Sequence, residues 1–151
     1  MNALAASLDS CVLLSLFLQD SGYASAERWL LSQGDQPLWV SHWVLLEFAG
    51  VINLCVRRED LAVPRAQAIQ AEFDDFRQER LSLVEPRGVD FLQARQWLED
   101  ALATQEAASS LRAADALHLA IALRQGLRIA TADVQLARAA KHLGIPCQHI
   151  A

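Results

Sequence analysis

Four acidic side chains stand alone in apolar stretches of this 151-residue chain, so its fold must place each where a carboxylate is tolerated. They are Asp9 in LAASLDSCVLLSLF, Glu47 in WVLLEFAGVI, Asp115 in LRAADALHLAIAL and Asp133 after IATA. An isolated buried carboxylate becomes protonated, pairs with a cation or binds a metal, because its desolvation is costly. If the four meet, a divalent cation is the simplest partner that offsets their repulsion. Metal-assisted hydrolysis is the chemistry that such a site implies.

Short apolar runs alternate with longer helical patterns along the whole chain. This alternation predicts one α/β domain over residues 1–151, with a central parallel sheet of four to five strands flanked by helices on both faces. Ser41 is a candidate cap for the helix that contains Glu47, and Ser109 or Ser110 for the helix that contains Asp115. The predicted strands cover residues 3–9, 36–41, 81–86, 127–131 and 147–150, and the predicted helices cover 10–19, 21–34, 42–58, 63–80, 89–103, 111–126 and 134–144.

The predicted order of strands and helices places the four acids near one edge of the sheet. Asp9 and Asp133 fall at the C-terminal ends of the first and fourth strands. In open α/β sheets, ligands bind outside these carboxyl ends. Glu47 and Asp115 are expected about two turns inside helices that could flank the same edge. The sequence therefore predicts one acidic site at the carboxyl edge of the sheet.

Composition excludes several classes of protein. The chain is 53% hydrophobic and can bury a sizeable core. Its three cysteines, without a CxxC pair, suggest neither a zinc site nor a disulfide framework, and reduced thiols fit a cytoplasmic setting. The first residues lack the basic region of a secretory signal, and CVLLSLFL is too short to span a membrane. A net charge of −5 argues against a generally basic protein that coats nucleic acid, although bound cations can reverse the charge of an acidic site.

The four acidic segments together resemble the PIN-domain ribonucleases, and most closely the VapC-type toxins of bacterial type II toxin–antitoxin pairs. LDSCVLLSLF is similar to the family's opening strand, SHWVLLEFAGVI to its second motif, LRAADALHLAIAL to its third and IATADVQLARAAKHLGIPC to its fourth. The resemblance implies a Mg²⁺- or Mn²⁺-dependent endoribonuclease, in which a metal-activated water attacks the RNA phosphodiester. It also implies a cognate antitoxin and a homodimer. The implied catalytic and metal-binding residues are Asp9, Glu47, Asp115 and Asp133, with Ser10 and Thr131 supporting them.

Cys11 departs from the family pattern, which has a serine or asparagine at that position. If a hydroxyl or amide there orders a water, Cys11 weakens catalysis. This leaves an alternative function as a PIN-like module that binds RNA or protein without cleaving. A phospho-receiver domain fits less well, because Asp9 has no acidic neighbour and the only lysine, Lys141, lies inside a predicted helix. A phosphohydrolase with an aspartate nucleophile lacks its usual DxD pattern, since Cys11 stands there.

Each candidate residue also has an ordinary structural explanation. Asp9 and Asp133 stand where helix caps are wanted, and Asp133 is expected as a water-mediated or second-metal contact. Asp115 has a local partner in Arg112, which would make an ordinary solvated pair. Glu47 has no local partner, so an ion pair with a residue distant in sequence is its alternative explanation. His118 could be a metal ligand or proton shuttle, but a histidine satisfied by a hydrogen-bond partner is the preferred interpretation.

Overall fold

The computed structural model describes residues 5–103 and 111–151, and five strands and seven helices lie in these ranges. Strands and helices follow one another much as the sequence pattern predicts. The strands are β1 (Ala6–Leu8), β2 (Leu38–Ser41), β3 (Leu81–Val84), β4 (Arg128–Thr131) and β5 (Cys147–His149). The helices are α1 (Ser10–Leu18), α2 (Tyr23–Ser32), α3 (His42–Arg57), α4 (Val63–Arg80), α5 (Gly88–Ala101), α6 (Ala113–Gln125) and α7 (Val134–His142).

The five strands form one parallel sheet in the order β3-β2-β1-β4-β5. β1 occupies the centre, where Leu8 is in register with Ala130 of β4. The predicted parallel α/β sheet is therefore confirmed. Chain connections leave β1 toward β2 on one side and return through β4 on the other. The crevice between β1 and β4 is thus the topological switch point, where ligands bind in folds of this kind.

Helices cover both faces of the sheet through two apolar clusters. The first joins β1 and β2 to α1, α3 and α4, and contains the fully buried Phe48 stacked on Phe73 at 4.0 Å between ring centroids. The second joins β4 to α6 and α7, with Ile129 and Leu119 fully buried. No helix in the described ranges is long and apolar enough to cross a membrane.

Helix starts are defined by caps that the sequence predicts in part. The backbone N–H of Val44 donates to Ser41 Oγ at 3.2 Å, so the predicted cap of α3 is confirmed. α6 begins at Ala113, later than predicted, with Arg112 in the N-cap position. The predicted capping residues Ser109 and Ser110 lie outside the described residues. The later start places Asp115 in the first turn of α6, so the prediction of a position two turns inside is wrong for this residue.

Candidate acidic site

The four acids are brought to the carboxyl edge of the sheet by chain direction. Asp9 directly follows β1, and Asp133 lies just beyond β4, the neighbouring strand. α3 starts immediately after β2 and carries Glu47 in its second turn. Asp115 lies in the first turn of α6. This helix leads into β4, so it runs in the direction opposite to the strands and has its N-terminus at the same edge. The edge therefore combines two strand ends with two flanking helices.

Asp9 is nearly buried, with 9% of the residue exposed, and its carboxylate is held by three donors. Oδ1 accepts from its neighbour Ser10, through the backbone N–H, at 2.8 Å. Oδ2 accepts from the Thr131 hydroxyl at 2.8 Å and from the Cys11 thiol at 3.0 Å. Thr131 also accepts from the backbone N–H of Asp133 at 3.0 Å. Thr131 thus orients the Asp9 carboxylate and the backbone of Asp133, rather than the Asp133 side chain.

Cys11 takes part in the same network. Its Sγ lies 3.4 Å from the Thr131 hydroxyl and accepts from the backbone N–H of Ala132 at 3.4 Å. Burial, followed by the charge of Asp9, raises the pKa of Cys11 to about 12. The side chain is therefore a neutral thiol near neutral pH, and it donates to Asp9 much as a serine hydroxyl at this position would.

Arg112 bridges two of the four acids. Its Nε donates to Asp115 Oδ2 at 2.9 Å, and its Nη2 donates to Asp133 Oδ2 at 2.8 Å. The Asp115 side chain is only 13% exposed, whereas that of Arg112 is 59% exposed. The alternative explanation of Asp115 as half of an ordinary solvated pair does not hold, because one partner is largely buried and a second carboxylate shares the guanidinium.

Asp133 divides its two oxygens between different partners. Oδ1 accepts from the backbone N–H of Gln135 at 2.8 Å and caps α7, while Oδ2 meets Arg112. The predicted cap is confirmed. The unpaired N–H groups and the dipole at a helix N-terminus attract a carboxylate. Asp9 at the start of α1 and Asp115 in the first turn of α6 share this advantage.

Glu47 lacks that advantage because it lies inside α3. Burial, then the negative charges of Asp9 and Asp115, raises its pKa to about 7, although Ser10 and Arg112 partly oppose the rise. Within the described ranges Glu47 forms no ion pair. Burial also raises the pKa of Asp115, against the opposing effect of Arg112. Among the described residues neither Glu47 nor Asp9 forms an ion pair, and of these two acids only Glu47 also lacks a position at a helix N-terminus.

His118 is buried one turn after Asp115. Neither ring nitrogen has a hydrogen-bond partner among the described residues. Within these residues, the preferred expectation that His118 is hydrogen-bonded is therefore wrong. Burial lowers the pKa of His118, against the opposing charges of Asp9 and Asp115, so the ring is neutral near neutral pH. With 2% of the residue exposed, this imidazole is closed to solvent.

The arrangement fits a hard cation in donor type, though not in its present side-chain positions. No three His, Cys, Asp or Glu side chains within 5–103 and 111–151 converge closely enough to hold a metal ion as they stand. Asp115 and Asp133 face Arg112 instead. The donors are nevertheless carboxylates, which Mg²⁺ and Mn²⁺ prefer. Burial, followed by the charges of Asp9 and Asp115, raises the pKa of Glu47, and a bound cation would oppose this rise.

The structure combines a parallel α/β sheet with four acidic residues near the switch point between β1 and β4. This combination defines a class of α/β proteins with an acidic site at the carboxyl edge of the sheet. The chain belongs to the PIN-domain family, whose model matches residues 6–142. A search of curated proteins finds no match.

Solved structures of PIN proteins share the fold at low sequence identity. A chain of VapBC2 from Rickettsia felis, bound to a DNA fragment from its promoter, superposes with a TM-score of 0.73 at 11% identity, covering 98% of this chain and 100% of that chain. VapC20 from Mycobacterium tuberculosis, a toxin that cleaves the sarcin–ricin loop, gives 0.65 at 19% identity, with 89% and 95% covered. FitAcB from Neisseria gonorrhoeae gives 0.67 at 19%, with 94% and 95% covered.

Proposed function

We propose that this protein is a divalent-metal-dependent endoribonuclease and the toxin of a toxin–antitoxin pair. The observation that carries the proposal is Glu47, a partly buried acid whose pKa is raised to about 7 beside the charges of Asp9 and Asp115. Fold stability alone does not favour such repulsion, since a neutral side chain at this position would avoid it. A site that recruits a cation gains affinity from the same repulsion.

The metal-binding residues we propose are Asp9, Glu47 and Asp115 for the main ion, with Asp133 at a second ion or a bridging water. A bound Mg²⁺ or Mn²⁺ would supply an activated water and charge neutralisation for phosphodiester hydrolysis. The chain's own residues hold a metal-binding carboxylate in position. Thr131 and Cys11 hold one oxygen of Asp9, and the backbone of Ser10 holds the other, so this carboxylate is fixed before a ligand arrives.

A covalent mechanism through a side chain of this site is not favoured. The Cys11 thiol is neutral at physiological pH, because its pKa is raised to about 12, and the thiolate is the nucleophilic form. His118 is buried and neutral, so it cannot exchange protons directly with substrate in this arrangement. Attack by water is therefore the route that the residues support.

The proposed partners follow from the relatives. Several similar structures are VapBC or FitAB assemblies, and one is described as cleaving the sarcin–ricin loop. For this chain we propose an RNA substrate, a cognate antitoxin that covers the acidic edge, and a homodimer. The choice of RNA would depend on surfaces outside the acidic site.

Cleavage assays with matched acidic variants test the function. Wild-type protein should cleave RNA with Mn²⁺ or Mg²⁺ and lose this activity with EDTA, and expression without a partner should arrest growth. Asp9→Asn and Glu47→Gln should each abolish both effects. The controls Asp75→Asn and Glu79→Gln change exposed acids of α4 by the same chemistry and should retain activity. Circular dichroism must show that every variant is folded.

An interaction module without nuclease activity is the second candidate, and Cys11 in the Asp9 network is the observation that favours it. A folded wild-type protein that binds metal, leaves cellular RNA intact and does not affect growth would establish this candidate. Cys11→Ser then separates two causes. A gain of cleavage would place the defect at Cys11, whereas continued inactivity would indicate a true binding module.

A further inference from the structure

Arg112 has a position that the proposed metal ligands do not explain. It lies just before α6, and one guanidinium joins Asp115 of that helix to Asp133 at the start of α7. The two carboxylates are 18 residues apart in sequence and would repel each other without it. The guanidinium thus supplies the positive charge that two of the four acids need when no cation is bound.

We propose that Arg112 exchanges partners when the protein loads a divalent cation: it holds Asp115 and Asp133 in the metal-free state, and then binds a phosphate of the RNA. The inference rests on the proposed function, and it assigns Arg112 as a substrate-positioning residue. It also explains why the acids do not converge as they stand, since two of them face the guanidinium.

The exchange is energetically feasible because Arg112 is well exposed. Its side chain is 59% exposed, so it can turn toward solvent without breaking a packed core. Solvent screens part of the attraction of so exposed a guanidinium for its two carboxylates, and a divalent cation offers the same carboxylates twice the charge. Each carboxylate that turns to the cation frees guanidinium N–H donors. These donors match the oxygens of a phosphate in geometry and charge.

Arg112 would also correct the sign of the site for an anionic substrate. The chain carries a net charge of −5, and four of its 18 acidic residues lie together at the carboxyl edge. A phosphodiester approaching that edge is repelled unless cations face it. The freed guanidinium would lie beside the loaded acids because Arg112 is three residues from Asp115.

Metal binding by folded variants tests the first half of the exchange. Calorimetry with Mn²⁺ should show about tenfold tighter binding by Arg112→Ala than by wild type, or about 1.4 kcal/mol, because the competing cation is gone. Arg112→Lys keeps the charge but lacks the planar fork that bridges two carboxylates, so it should fall between the two. The control Arg95→Ala removes an arginine from the exposed Arg95–Glu99 pair of α5 and should match wild type.

RNA binding tests the second half without cleavage as the readout. Fluorescence anisotropy of a labelled single-stranded RNA oligonucleotide, with Ca²⁺ in place of Mn²⁺, should show about tenfold weaker binding by Arg112→Ala. The slope of log affinity against log salt should fall by about one, because one phosphate contact is lost. Arg95→Ala should leave both the affinity and the slope unchanged.

The outcomes separate this inference from the proposed function. If wild type binds Mn²⁺ and RNA but Arg112→Ala binds both as wild type does, the exchange is overturned and the nuclease proposal stands. An Arg112→Lys variant that binds Mn²⁺ as wild type does would reduce the effect to net charge and also overturn it. If neither wild type nor Arg112→Ala binds Mn²⁺, both proposals fail. Mn²⁺ binding by Arg112→Ala alone would support the exchange in its strongest form.

Discussion

Two acidic regions of this molecule differ in whether the fold itself balances the charge of a buried carboxylate. Asp90 in α5 is 1% exposed, and Arg124 of α6 donates to both of its oxygens at 2.7 and 2.9 Å. The backbone N–H of Arg87 donates to it as well. Burial tends to raise the pKa of Asp90, but these hydrogen bonds outweigh burial and lower it. At the carboxyl edge, Glu47 has no such partner and its pKa rises.

This difference distinguishes an acid that stabilises the fold from acids that remain able to bind a ligand. Asp90 is satisfied within the chain, joins α5 to α6 and has no capacity left for a ligand. Of the edge acids, Asp115 and Asp133 share one exposed arginine, and Asp9 is held by neutral donors alone. A buried acid indicates a binding site when its charge is not balanced by the fold itself, and the pKa directions of Asp90 and Glu47 distinguish the two cases.

The largest expected effect on stability belongs to the balanced pair. Arg124→Ala should lower the free energy of unfolding by about 3–5 kcal/mol, because it leaves the Asp90 charge buried and unpaired. Thermal melts should show a decrease of about 10 °C for a domain of this size. Arg95→Ala, which breaks an exposed pair, should change stability by less than about 1 kcal/mol. A change of similar size in both variants would contradict the contrast between buried and exposed pairs.

Metal removal should affect only the unbalanced region. At a free Mn²⁺ concentration about a hundredfold above its dissociation constant, binding should stabilise the protein by about 2.7 kcal/mol relative to EDTA. Arg124→Ala should gain the same increment from its lower baseline, because its pair lies outside the site. No upward shift in wild type at any Mn²⁺ concentration, with no heat of binding by calorimetry, would count against the site.

The stability of metal-free protein should depend on pH through Glu47. Its pKa is raised in the folded state from 4.5 to about 7, so its ionisation destabilises the fold progressively as pH rises through that window. Glu47→Gln removes the penalty. It should stabilise the metal-free protein by on the order of 1–2 kcal/mol at pH 8, after allowance for solvent screening, and very little at pH 5.

Denaturant unfolding in EDTA at both pH values measures this difference. Glu79→Gln in the exposed part of α4 controls for the loss of one negative charge. The interpretation of Glu47 as unbalanced fails if Glu47→Gln destabilises the protein at pH 8. Mn²⁺ affinity of wild type should also fall below about pH 7, because a proton then competes with the cation for Glu47.

Asp115→Asn should have a smaller effect of the same sign. Burial raises the pKa of Asp115 although Arg112 opposes it, so the charged form remains disfavoured in the fold. The metal-free variant should be more stable by less than about 1 kcal/mol at pH 8, while Mn²⁺ binding is lost. A melting temperature lowered by several degrees would instead assign the Arg112–Asp115 pair a structural role like that of Asp90.

The smallest effect is expected at Cys11. A serine hydroxyl can make the same hydrogen bond to Asp9, so Cys11→Ser should change stability by less than about 1 kcal/mol and keep or increase cleavage. In the folded wild type, Cys11 should react with iodoacetamide far more slowly than free glutathione at pH 8, since its pKa is about 12. Peptide mapping after alkylation identifies the modified cysteine, and rapid labelling of Cys11 would contradict the raised pKa.

The sequence predicts much of this architecture from local patterns. Apolar runs bounded by turn residues locate all five strands, and Ser41 and Asp133 are recognisable as caps because capping depends on neighbours in sequence. The start of α6 was predicted too early, since LRAAD continues the helical pattern although Arg112 is extended. Boundaries are less certain than elements because several nearby residues can end the same helix.

The sequence alone also determined that four acids stand in apolar segments and fall at the carboxyl edge of a parallel sheet. Those properties follow from residue order and strand polarity. Only the tertiary structure decided the electrostatic balance of each acid. Arg112 was visible as a local partner of Asp115, but its second bond crosses to Asp133. The orphaned nitrogens of His118 and the thiol bond of Cys11 to Asp9 likewise depend on packing between elements. Sequence distance carries no information about these contacts, because charge interaction depends on separation in space.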